Sequence, residues 1–385
     1  LFDQVGFQPA NFKTDPDSFR KVPLLNKALI REHYHDLMTT EPSRREDMSQ
    51  LTTGGSTGQP LIFMQDSNFR DFVTADIHRH LEWAGWELGQ PHAYIWGASF
   101  EVERAQALRT RIMDLILNRF LTNAYVLSEE SMAAFVEQIR RRRPRLLFGY
   151  ASSLHVFAKF VRRHRIDDIK FEGVFSSAEV LYDTQRQYIE ETFKCKMFNR
   201  YGTRELGGIS CECEAHTGLH VSVESNYVEI LQDGQPAPVG QPGDIVVTNL
   251  NNYGMPFIRY LIEDVGAWSG EEPCPCGRAL PMMKLVQGRR MDMFKTRDGR
   301  LVWGGFASPM FGIPGVKQFQ VVQKSLDLVV ARIVKDGQLN ESRLREIESL
   351  AKKALGDHVQ VQFEFVEEIP RRTSGKYLYA ISELK

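Results

Sequence analysis

The chain has 385 residues, 42% of them hydrophobic and 25% charged, so it is long enough for two domains and has an ordinary globular composition. Its formal net charge of −1 gives no general electrostatic reason to expect nucleic acid or an acidic membrane as a partner. The sequence contains neither an apolar run of about 18 residues nor a charged-then-apolar leader, so no membrane span or secretory signal is predicted.

Short apolar strands and helices alternate through the first half of the chain. Helices are predicted at 68–83, 104–120, 131–142, 152–164 and 183–193, and strands at 93–96, 146–148 and 173–176. This alternation favours an α/β sheet with helical crossovers. We interpret the basic run at 140–145 as the solvated C-terminal end of a helix, where cations favour the dipole, rather than as a partner patch.

The pattern changes after residue 195. Strand-like segments at 221–231 and 243–250 are separated by Asp-Gly and Pro-Gly turns. The tail has strands near 318–322, 327–333 and 360–366 and a helix at 341–355, which fits a compact α+β domain. We therefore predict a large first domain, 1–289, and a small second domain, 290–385.

A glycine-rich stretch at 52–60 reads TTGGSTGQP and precedes an apolar run. Glycines let backbone N–H groups converge, and such a group of amides suits phosphate oxygens. The stretch is not a Walker loop, because the Gly-Lys-Ser/Thr ending is missing. By itself it fits a flexible turn equally well.

Three later motifs carry polar groups suited to nucleotide chemistry. Glu205 lies in YGTRE, after a strand-like segment, where open α/β sheets place ligand loops, and its carboxylate suits Mg²⁺. Asp264 in YLIED can accept hydrogen bonds from ribose hydroxyls, and Lys376 ends the polar segment PRRTSGK. Each residue alone also fits an exposed loop position.

The order of these motifs resembles that of the adenylate-forming superfamily, which includes acyl-CoA synthetases, peptide-synthetase adenylation domains and luciferases. The order is the glycine-rich loop, YGxxE, YxxxD, GRxxD at 288–292, and PRxTSGK. The spellings SSAE at 176–179, LFGYASSL at 147–154, GISCECE, MPFIRY and CPCGR resemble the phenylacetate-CoA ligase branch and its capsule-biosynthesis relatives. The resemblance covers nearly the whole chain. It implies an α/β fold whose large N-terminal adenylate-forming domain has mixed sheets and helical crossovers, with a small mobile α+β C-terminal domain.

The resemblance also implies roles for individual residues. Lys376, Glu205 and Thr203 would be catalytic, with Glu205 binding Mg²⁺ and Lys376 contacting the carboxylate and α-phosphate. Asp292 would be the hinge about which the small domain rotates. The implied ATP- and acid-binding residues are Thr52, Thr53, Gly54, Gly55, Ser56, Thr57, Gly58, Ser177, Ala178, Glu179, Asn199, Arg200, Tyr201 and Gly202, with Asp264 and Arg289 at the ribose.

The implied reaction is ATP-dependent activation of a carboxylic acid through an acyl-adenylate, followed by transfer to a thiol, most simply CoA. Aromatic residues near the expected pocket, Phe148 and Tyr150 among them, favour an aryl or arylacetic acid. Two departures, Gln59 after the loop and Arg204 inside YGxxE, would change the contacts with the triphosphate or the acid. Alternatives are an enzyme with a non-CoA acceptor, such as an amine, in polysaccharide or secondary-metabolite biosynthesis, and a non-catalytic nucleotide-binding homologue. The sequence leaves a homodimer open.

Four of the five cysteines form two Cys-x-Cys pairs. Few, unevenly placed cysteines argue against a secreted disulfide scaffold and favour the reducing cytoplasm. Thiolates with nearby histidines favour a closed structural Zn²⁺ site, the alternative being inert thiols. The resemblance favours Cys213, His220, Cys274 and Cys276 as ligands, with Cys211 and His216 as alternates and Cys195 in the core.

Overall fold

A computed structural model gives the fold of the chain. It describes residues 2, 4–53, 61–97, 108–124, 127–270, 272–289, 293–299, 301–303, 307, 310, 313–339, 342–370 and 378–384. The described residues form two compact units, one of Leu1–Ile77, Gly202–Cys211 and Thr217–Val286, the other of His78–Tyr201, Glu212–His216 and Gln287–Lys385. Among the described residues, no helix is both long and apolar enough to cross a membrane.

Helices and strands alternate along the chain as follows. The helices are α1 (Lys27–Glu32), α2 (Pro42–Glu46), α3 (Ser67–Glu82), α4 (Leu108–Ile116), α5 (Glu129–Arg142), α6 (Ala151–Arg163), α7 (Asp183–Phe193) and α8 (Ser342–Leu355), with 3₁₀ turns at Pro9–Lys13 and Pro16–Lys21. The strands are β1 (Ser49–Thr52), β2 (Ile62–Gln65), β3 (His92–Trp96), β4 (Arg119–Asn123), β5 (Leu146–Tyr150), β6 (Gly173–Ser177), β7 (Lys196–Thr203), β8 (Gly207–Glu212), β9 (Leu219–Val221), β10 (Asn226–Gln232), β11 (Gln235–Pro236), β12 (Gly243–Asn249), β13 (Tyr260–Trp268), β14 (Met282–Arg289), β15 (Met293–Lys295), β16 (Leu301–Trp303), β17 (Val316–Ser325), β18 (Leu328–Lys335), β19 (Gln360–Phe365) and β20 (Ala380–Ser382).

Parallel strands in the order β7-β6-β5-β3-β4 form the sheet of the second unit. Every residue of β5 and β6 is buried, which explains the apolar stretches at 146–148 and 173–175 of the sequence. One sheet face packs against α5, α6 and α7 in a core that includes Phe135, Phe157 and Ile189. The α/β arrangement expected from the alternating pattern is confirmed.

Helix α5 shows why the basic run at 140–145 lies at a helix end. The Ser128 hydroxyl accepts from Ser131 N at the start, and Arg143 ends the helix in the left-handed region, at φ +47°. Arg140 forms ion pairs with Asp168 and with Glu137, so this part of the run is paired with neighbouring carboxylates.

One predicted helix, at 104–120, extends too far. The helix covers Leu108–Ile116, and Arg119 and Phe120 belong to β4, which pairs parallel with β3. Asn118 makes the turn between them, at φ +50°. The sheet pairing overrides the helical periodicity, because the carbonyl oxygen of Asn118 accepts from His92 N and the Phe120 ring enters the core.

The tail forms the small α+β body that the sequence predicts. Its four-stranded sheet has the order β19-β18-β17-β20, with β17 and β18 antiparallel and both outer strands parallel to their neighbours. Phe319, Ile333 and Ile347 lie in its core, which also includes Tyr182 from the turn before α7.

The first unit is mainly antiparallel. It contains strands in the order β11-β10-β12-β13-β14-β9-β8 and the separate hairpin β1–β2. Asp66, directly after β2, is 1% exposed and accepts hydrogen bonds from the backbone N–H groups of Phe69, Tyr253 and Gly254. These bonds hold the end of the hairpin to the turn before β13.

Candidate active site

The hairpin β1–β2 positions the two ends of the glycine-rich loop. Thr52 lies opposite Ile62 in the register, and the Thr53 backbone N–H donates to the Leu61 carbonyl at 2.9 Å. The Thr53 hydroxyl accepts from Leu61 N at 2.9 Å, so both polar groups of Thr53 hold the loop base closed. The predicted triphosphate-binding residues Gly54, Gly55, Ser56, Thr57 and Gly58 lie outside the described residues.

The YGTRE turn in 201–205 contacts this loop base through Arg204. Its guanidinium donates to the Thr52 carbonyl at 3.1 Å, and its own carbonyl accepts from the Gln65 side chain at 2.8 Å. Burial lowers the pKa of Arg204, and Glu205 opposes that shift. Arg204, one of the two departures from the family pattern, thus connects the YGTRE turn to β1. The local sequence does not reveal this role.

The glycine of this turn is required by close packing. A Cβ on Gly202 would lie 2.2 Å from the Gly207 carbonyl oxygen, so any side chain would force the backbone apart. The Thr203 hydroxyl accepts from Leu206 N at 3.2 Å and stabilises the segment between the two glycines.

Glu205 is held by a tyrosine from β13. Its carboxylate is 8% exposed and accepts from the Tyr260 hydroxyl at 3.2 Å. Burial and the neighbouring Glu205 raise the pKa of Tyr260, so the phenol keeps its proton and remains a donor. Asp264, the predicted ribose ligand, lies four residues later on the same strand and is 9% exposed. The YxxxD motif contains Tyr260, but the motif by itself does not predict that the Tyr260 hydroxyl donates to Glu205.

The SSAE segment begins with the last two residues of β6. Ala178 has φ +68°, a backbone conformation uncommon for a residue with a Cβ. Glu179 accepts from Ser152 N at 2.9 Å, in the first turn of α6, where Tyr150 provides no side-chain cap. The helix dipole favours a carboxylate at that position, so the structure assigns Glu179 a capping contact.

A row of four side chains crosses the carboxyl ends of the parallel strands. Tyr150 lies opposite Ser177, and Ser177 lies opposite Arg200, while Trp96 on β3 stacks on Tyr150 at 4.3 Å between ring centroids. The carboxyl edge is where open α/β sheets bind ligands. Phe148 lies two residues before Tyr150 on β5. Its ring stacks between those of Tyr94 and Phe175, with centroid distances of 5.0 Å and 6.0 Å, so it lines the sheet core.

Arg200 is oriented by a buried histidine that the sequence analysis missed. Its Nε donates to His80 Nδ1 at 3.3 Å, and His80 is fully buried on α3. Burial lowers the pKa of His80 well below its usual range, with the cations Arg200 and Arg79 acting in the same direction. The imidazole is therefore neutral and can accept this bond. No local pattern marks the pair, because 120 residues separate the partners.

Asn199 is positioned by Glu212 at the end of β8. The carboxylate accepts from Asn199 N at 2.9 Å, from Arg186 at 2.7 Å and from His216 Nδ1 at 3.3 Å. Burial raises the pKa of Glu212, but the hydrogen bonds and the Arg186 charge outweigh burial and hold the pKa below its usual 4.5. His216, an alternate metal ligand in the sequence analysis, is thus engaged by a carboxylate.

Among the described residues, one group of His, Cys and acidic side chains could hold a metal ion. Its ligand atoms lie within 4.8 Å of one another, and its members are Cys213, His220, Cys274 and Cys276. These are the four residues favoured in the sequence analysis. Cys213 directly follows β8, and His220 lies on β9 opposite Met282 of β14.

The donor chemistry of this group fits a metal. His220 Nδ1 lies 3.3 Å from the Leu280 carbonyl, which can only accept, so this nitrogen carries the proton. Nε2 then has its lone pair free for a metal and lies 3.3 Å from Cys276 Sγ. The sulfur of Cys213 accepts from Ala215 N, and that of Cys276 from Arg278 N, as thiolates do.

The roles expected of Arg289, Asp292 and Lys376 stay predictions. The Arg289 side chain and the whole of the other two residues lie outside the described part of the chain.

Comparisons with known proteins agree with these motifs. Residues 294–383 match the family model of the CapK C-terminal domain. The chain is similar to protein CapK of Staphylococcus aureus, at 23% identity over 96% of this chain and 81% of that protein. It is also similar to the phenylacetate-coenzyme A ligase of Thermus thermophilus, at 25% identity over 90% of this chain and 75% of that protein.

Solved structures show the same fold. A 2-hydroxyisobutyryl-CoA ligase in the postadenylation state superposes with a TM-score of 0.78 at 20% identity, over 99% of this chain and 84% of that one. The o-succinylbenzoate CoA synthetase of Bacillus subtilis, with its acyl-adenylate intermediate, gives 0.63 at 17% identity over 86% and 67%. The resemblance is confirmed: the homologues are CapK and phenylacetate-CoA ligases, and the fold is that of adenylate-forming CoA ligases.

The hydrogen bonds that Glu212 accepts predict that the difference in stability between the unchanged protein and Glu212→Gln depends on pH. Glu212→Gln should lower the free energy of unfolding at neutral pH by about 1–3 kcal/mol, because the buried donors lose a charged acceptor. Since the folded pKa lies below 4.5, the contribution of the carboxylate is complete above that pH and is lost as the pH falls through the folded value. Urea unfolding of both proteins from pH 7 to pH 3 measures it. Glu367→Gln, at an exposed position, is the matched control. A difference that stays constant with pH would contradict the assignment.

Proposed function

We propose that this protein is an AMP-forming acid–thiol ligase, which activates a carboxylic acid with ATP and passes the acyl group to a thiol, most simply CoA. The observation that carries the proposal is the similarity to a phenylacetate-coenzyme A ligase over 90% of this chain. The connections among three motifs support it. The loop base, the YGTRE turn and the strand that carries Asp264 lie in one unit, where the Arg204–Thr52 and Tyr260–Glu205 hydrogen bonds join them.

The first half-reaction requires attack of a carboxylate oxygen on the α-phosphorus of ATP. The bond to the bridging oxygen breaks, pyrophosphate leaves, and an acyl-adenylate forms. Glu205, held in place by Tyr260, would bind the Mg²⁺ that neutralises charge on the phosphates. The loop at 52–58 would hold the triphosphate through its amides and hydroxyls, and Asp264 would accept from the ribose hydroxyls.

The second half-reaction requires the small domain to turn. Asp292 is the proposed hinge and Lys376 the proposed adenylation lysine, whose ammonium would offset charge on the carboxylate and α-phosphate. Once the domain turns, the thiol sulfur attacks the acyl carbon, AMP leaves and a thioester forms. The motif order supports both assignments, since GRxxD and PRxTSGK occupy the family positions at 288–292 and 370–376.

The acid pocket is proposed at the carboxyl ends of the parallel strands. Trp96 and Tyr150 supply aromatic surface there, and Ser177 and Arg200 supply polar groups. This arrangement favours an aryl or arylacetic acid. Phe148 contributes from beneath, through its stack with the neighbouring strands.

A second candidate function keeps the adenylation step but uses an acceptor other than CoA, such as an amine in polysaccharide or secondary-metabolite biosynthesis. The observation favouring it is that residues 294–383 match the CapK C-terminal domain. A reducing cytoplasmic location is proposed for either function, because none of the five cysteines, all of which the structure describes, forms a disulfide.

Zinc is the proposed occupant of the Cys213, His220, Cys274 and Cys276 group. Three thiolates and an imidazole complete a tetrahedral set without an open position, which favours a structural rather than a catalytic ion. The protonated Nδ1 of His220 and the N–H bonds to two sulfurs support this assignment. When bound, the ion would fix the turn after β8 and the segment before β14.

Adenylation is tested by pyrophosphate release. Purified protein with ATP and Mg²⁺ should release pyrophosphate only with a suitable acid, so a panel of aryl, arylacetic, fatty and amino acids is screened with and without CoA. Formation of an acyl-CoA supports the ligase; pyrophosphate release without a thioester in the presence of CoA supports the second candidate. Failure of ATP·Mg²⁺ to bind by calorimetry at millimolar concentration would overturn both and indicate a non-catalytic homologue.

Lys376→Ala separates the two half-reactions. Adenylation should fall by about 10²- to 10³-fold, because the ammonium is expected to stabilise charge in that transition state. Thioester formation from supplied acyl-adenylate should stay close to that of the unchanged protein, and Lys353→Ala, an exposed lysine on α8, should alter neither step. Equal loss in both half-reactions would count against a rotation that removes Lys376 from the site.

Metal analysis tests the zinc proposal. The purified protein should contain about one zinc ion per chain. Cys276→Ser should lose the ion and unfold at lower temperature, because a structural zinc contributes folding free energy. Cys195→Ser, outside the group, should keep a full zinc content. Substoichiometric zinc in the unchanged protein would remove the proposal, as would full zinc in Cys276→Ser.

A further inference from the structure

A cavity of about 50 Å³ lies in the second unit between α6 and the tail sheet. One wall is a single face of α6, with Ser152, His155, Val156 and Lys159 at helical spacing, and the other wall is the start of β17. The lining residues from the tail are Met310, Val316, Lys317, Gln318, Phe319 and Tyr379. The volume is several times what one water molecule needs, so a small polyatomic ligand fits.

A buried hydroxyl lines this cavity. Ser152 is 4% exposed, and its Oγ has no hydrogen-bond partner among the described residues. A buried hydroxyl without a partner loses its hydration without compensation, so a native protein normally supplies a ligand or an ordered water. The Ser152 backbone N–H is already used by Glu179, which leaves the hydroxyl as the group that can face a ligand.

The charged side chains among the described residues that line the cavity are of one sign. Two lysines, Lys159 and Lys317, line it, and none of the ten described lining residues is acidic. His155 is neutral near pH 7, because burial and the cations Lys159 and Arg162 lower its pKa to about 3. Two ammonium groups, a serine and a tyrosine hydroxyl and a glutamine amide form a donor set suited to an oxyanion.

Lys159 carries a burial cost that an anion would reduce. Burial lowers the pKa of its ammonium, and the carboxylate of Asp336 opposes the shift. Asp336 is exposed, so water screens much of this compensation. A negatively charged ligand inside the cavity would act at shorter range and in lower dielectric.

We propose that this cavity binds a tetrahedral oxyanion of the phosphate class, held by Lys159, Lys317 and the Ser152 hydroxyl. Its residues are other than those of the loop at 52–58, where we propose that the triphosphate of ATP binds. A bound anion would connect the exposed end of β17 to α6, and so hold the tail sheet against that helix. Two sources supply such a group: free phosphate, and the 3′-phosphate of CoA.

Isothermal titration with inorganic phosphate tests the site without any enzymatic activity. The unchanged protein should bind phosphate, Lys159→Met should bind it at least about tenfold more weakly, and Ser152→Ala a few-fold more weakly. Lys159→Met should remain folded, since an apolar chain of similar length replaces a buried cation. Melting curves check this, and Ser152→Ala tests the site independently.

Two controls locate the binding. Lys170→Met, an exposed lysine outside the cavity, should bind phosphate like the unchanged protein. Thr57→Val, in the proposed triphosphate loop, reports whether any phosphate binds there instead. Loss of binding in Thr57→Val with full binding in Lys159→Met would place phosphate on the nucleotide loop and overturn the proposal, and so would the absence of any phosphate binding.

Competition distinguishes the sources of the phosphate group. If the cavity takes the 3′-phosphate of CoA, CoA should displace inorganic phosphate and dephospho-CoA should not. If neither displaces it, the ligand is free phosphate. Both results support the site. The contrary result is that CoA and dephospho-CoA displace phosphate equally well, and do so in Lys159→Met just as in the unchanged protein. That result would show that the displaced phosphate binds elsewhere.

Discussion

A buried carboxylate must be held by hydrogen-bond donors, and in this protein the donors come from other segments of the chain. Glu205 is held by the Tyr260 hydroxyl, and Glu212 by Asn199 N together with Arg186. The half-buried Glu179 is held in the same way by Ser152 N. Asp66 follows the same rule with three backbone N–H groups. Each carboxylate therefore fixes the relative position of two segments, and these segments carry the predicted nucleotide and acid ligands.

The parallel sheet supplies the second constraint. Because its strands are paired in register, Tyr150, Ser177 and Arg200 lie side by side where the strands end. The aromatic stack beneath them is a consequence of burial on both faces, which leaves little but apolar side chains in the strand interiors. Arg200 is a charged exception at the half-buried end of β7, and the neutral imidazole of His80 satisfies one of its donors by accepting a hydrogen bond.

The candidate metal group and the position of β7 are connected through one short segment. Glu212 and Cys213 are adjacent in sequence, and the first of them binds the Asn199 backbone. His216 lies four residues after Glu212, donates to it and packs on Phe198 at 4.7 Å. An ion at Cys213 would thus stiffen the residues that position β7, so a structural metal can affect the ligand-binding strand without contacting a substrate.

The sequence by itself determined the fold class and the order of the motifs, and the family resemblance favoured the four residues that the structure brings together as a candidate metal group. Buried parallel strands read as apolar runs, turns show as glycine, and Cys-x-Cys pairs are visible without any structure. The sequence did not give the end of the helix at 104–120, because Arg119 and Phe120 become a strand only by pairing with β3.

Only the tertiary structure decided which residues hold the motifs in place. Tyr260 lies 55 residues from Glu205, His80 lies 120 from Arg200, and Lys159 meets the start of β17 across a cavity. Local periodicity carries no information about such pairs, since each partner obeys the pattern of its own helix or strand. The glycine-rich stretch at 52–60 illustrates both sources of information. Its expected phosphate-binding role rests on the order of the motifs in the sequence, whereas only the fold shows that Thr53 and Arg204 hold its base.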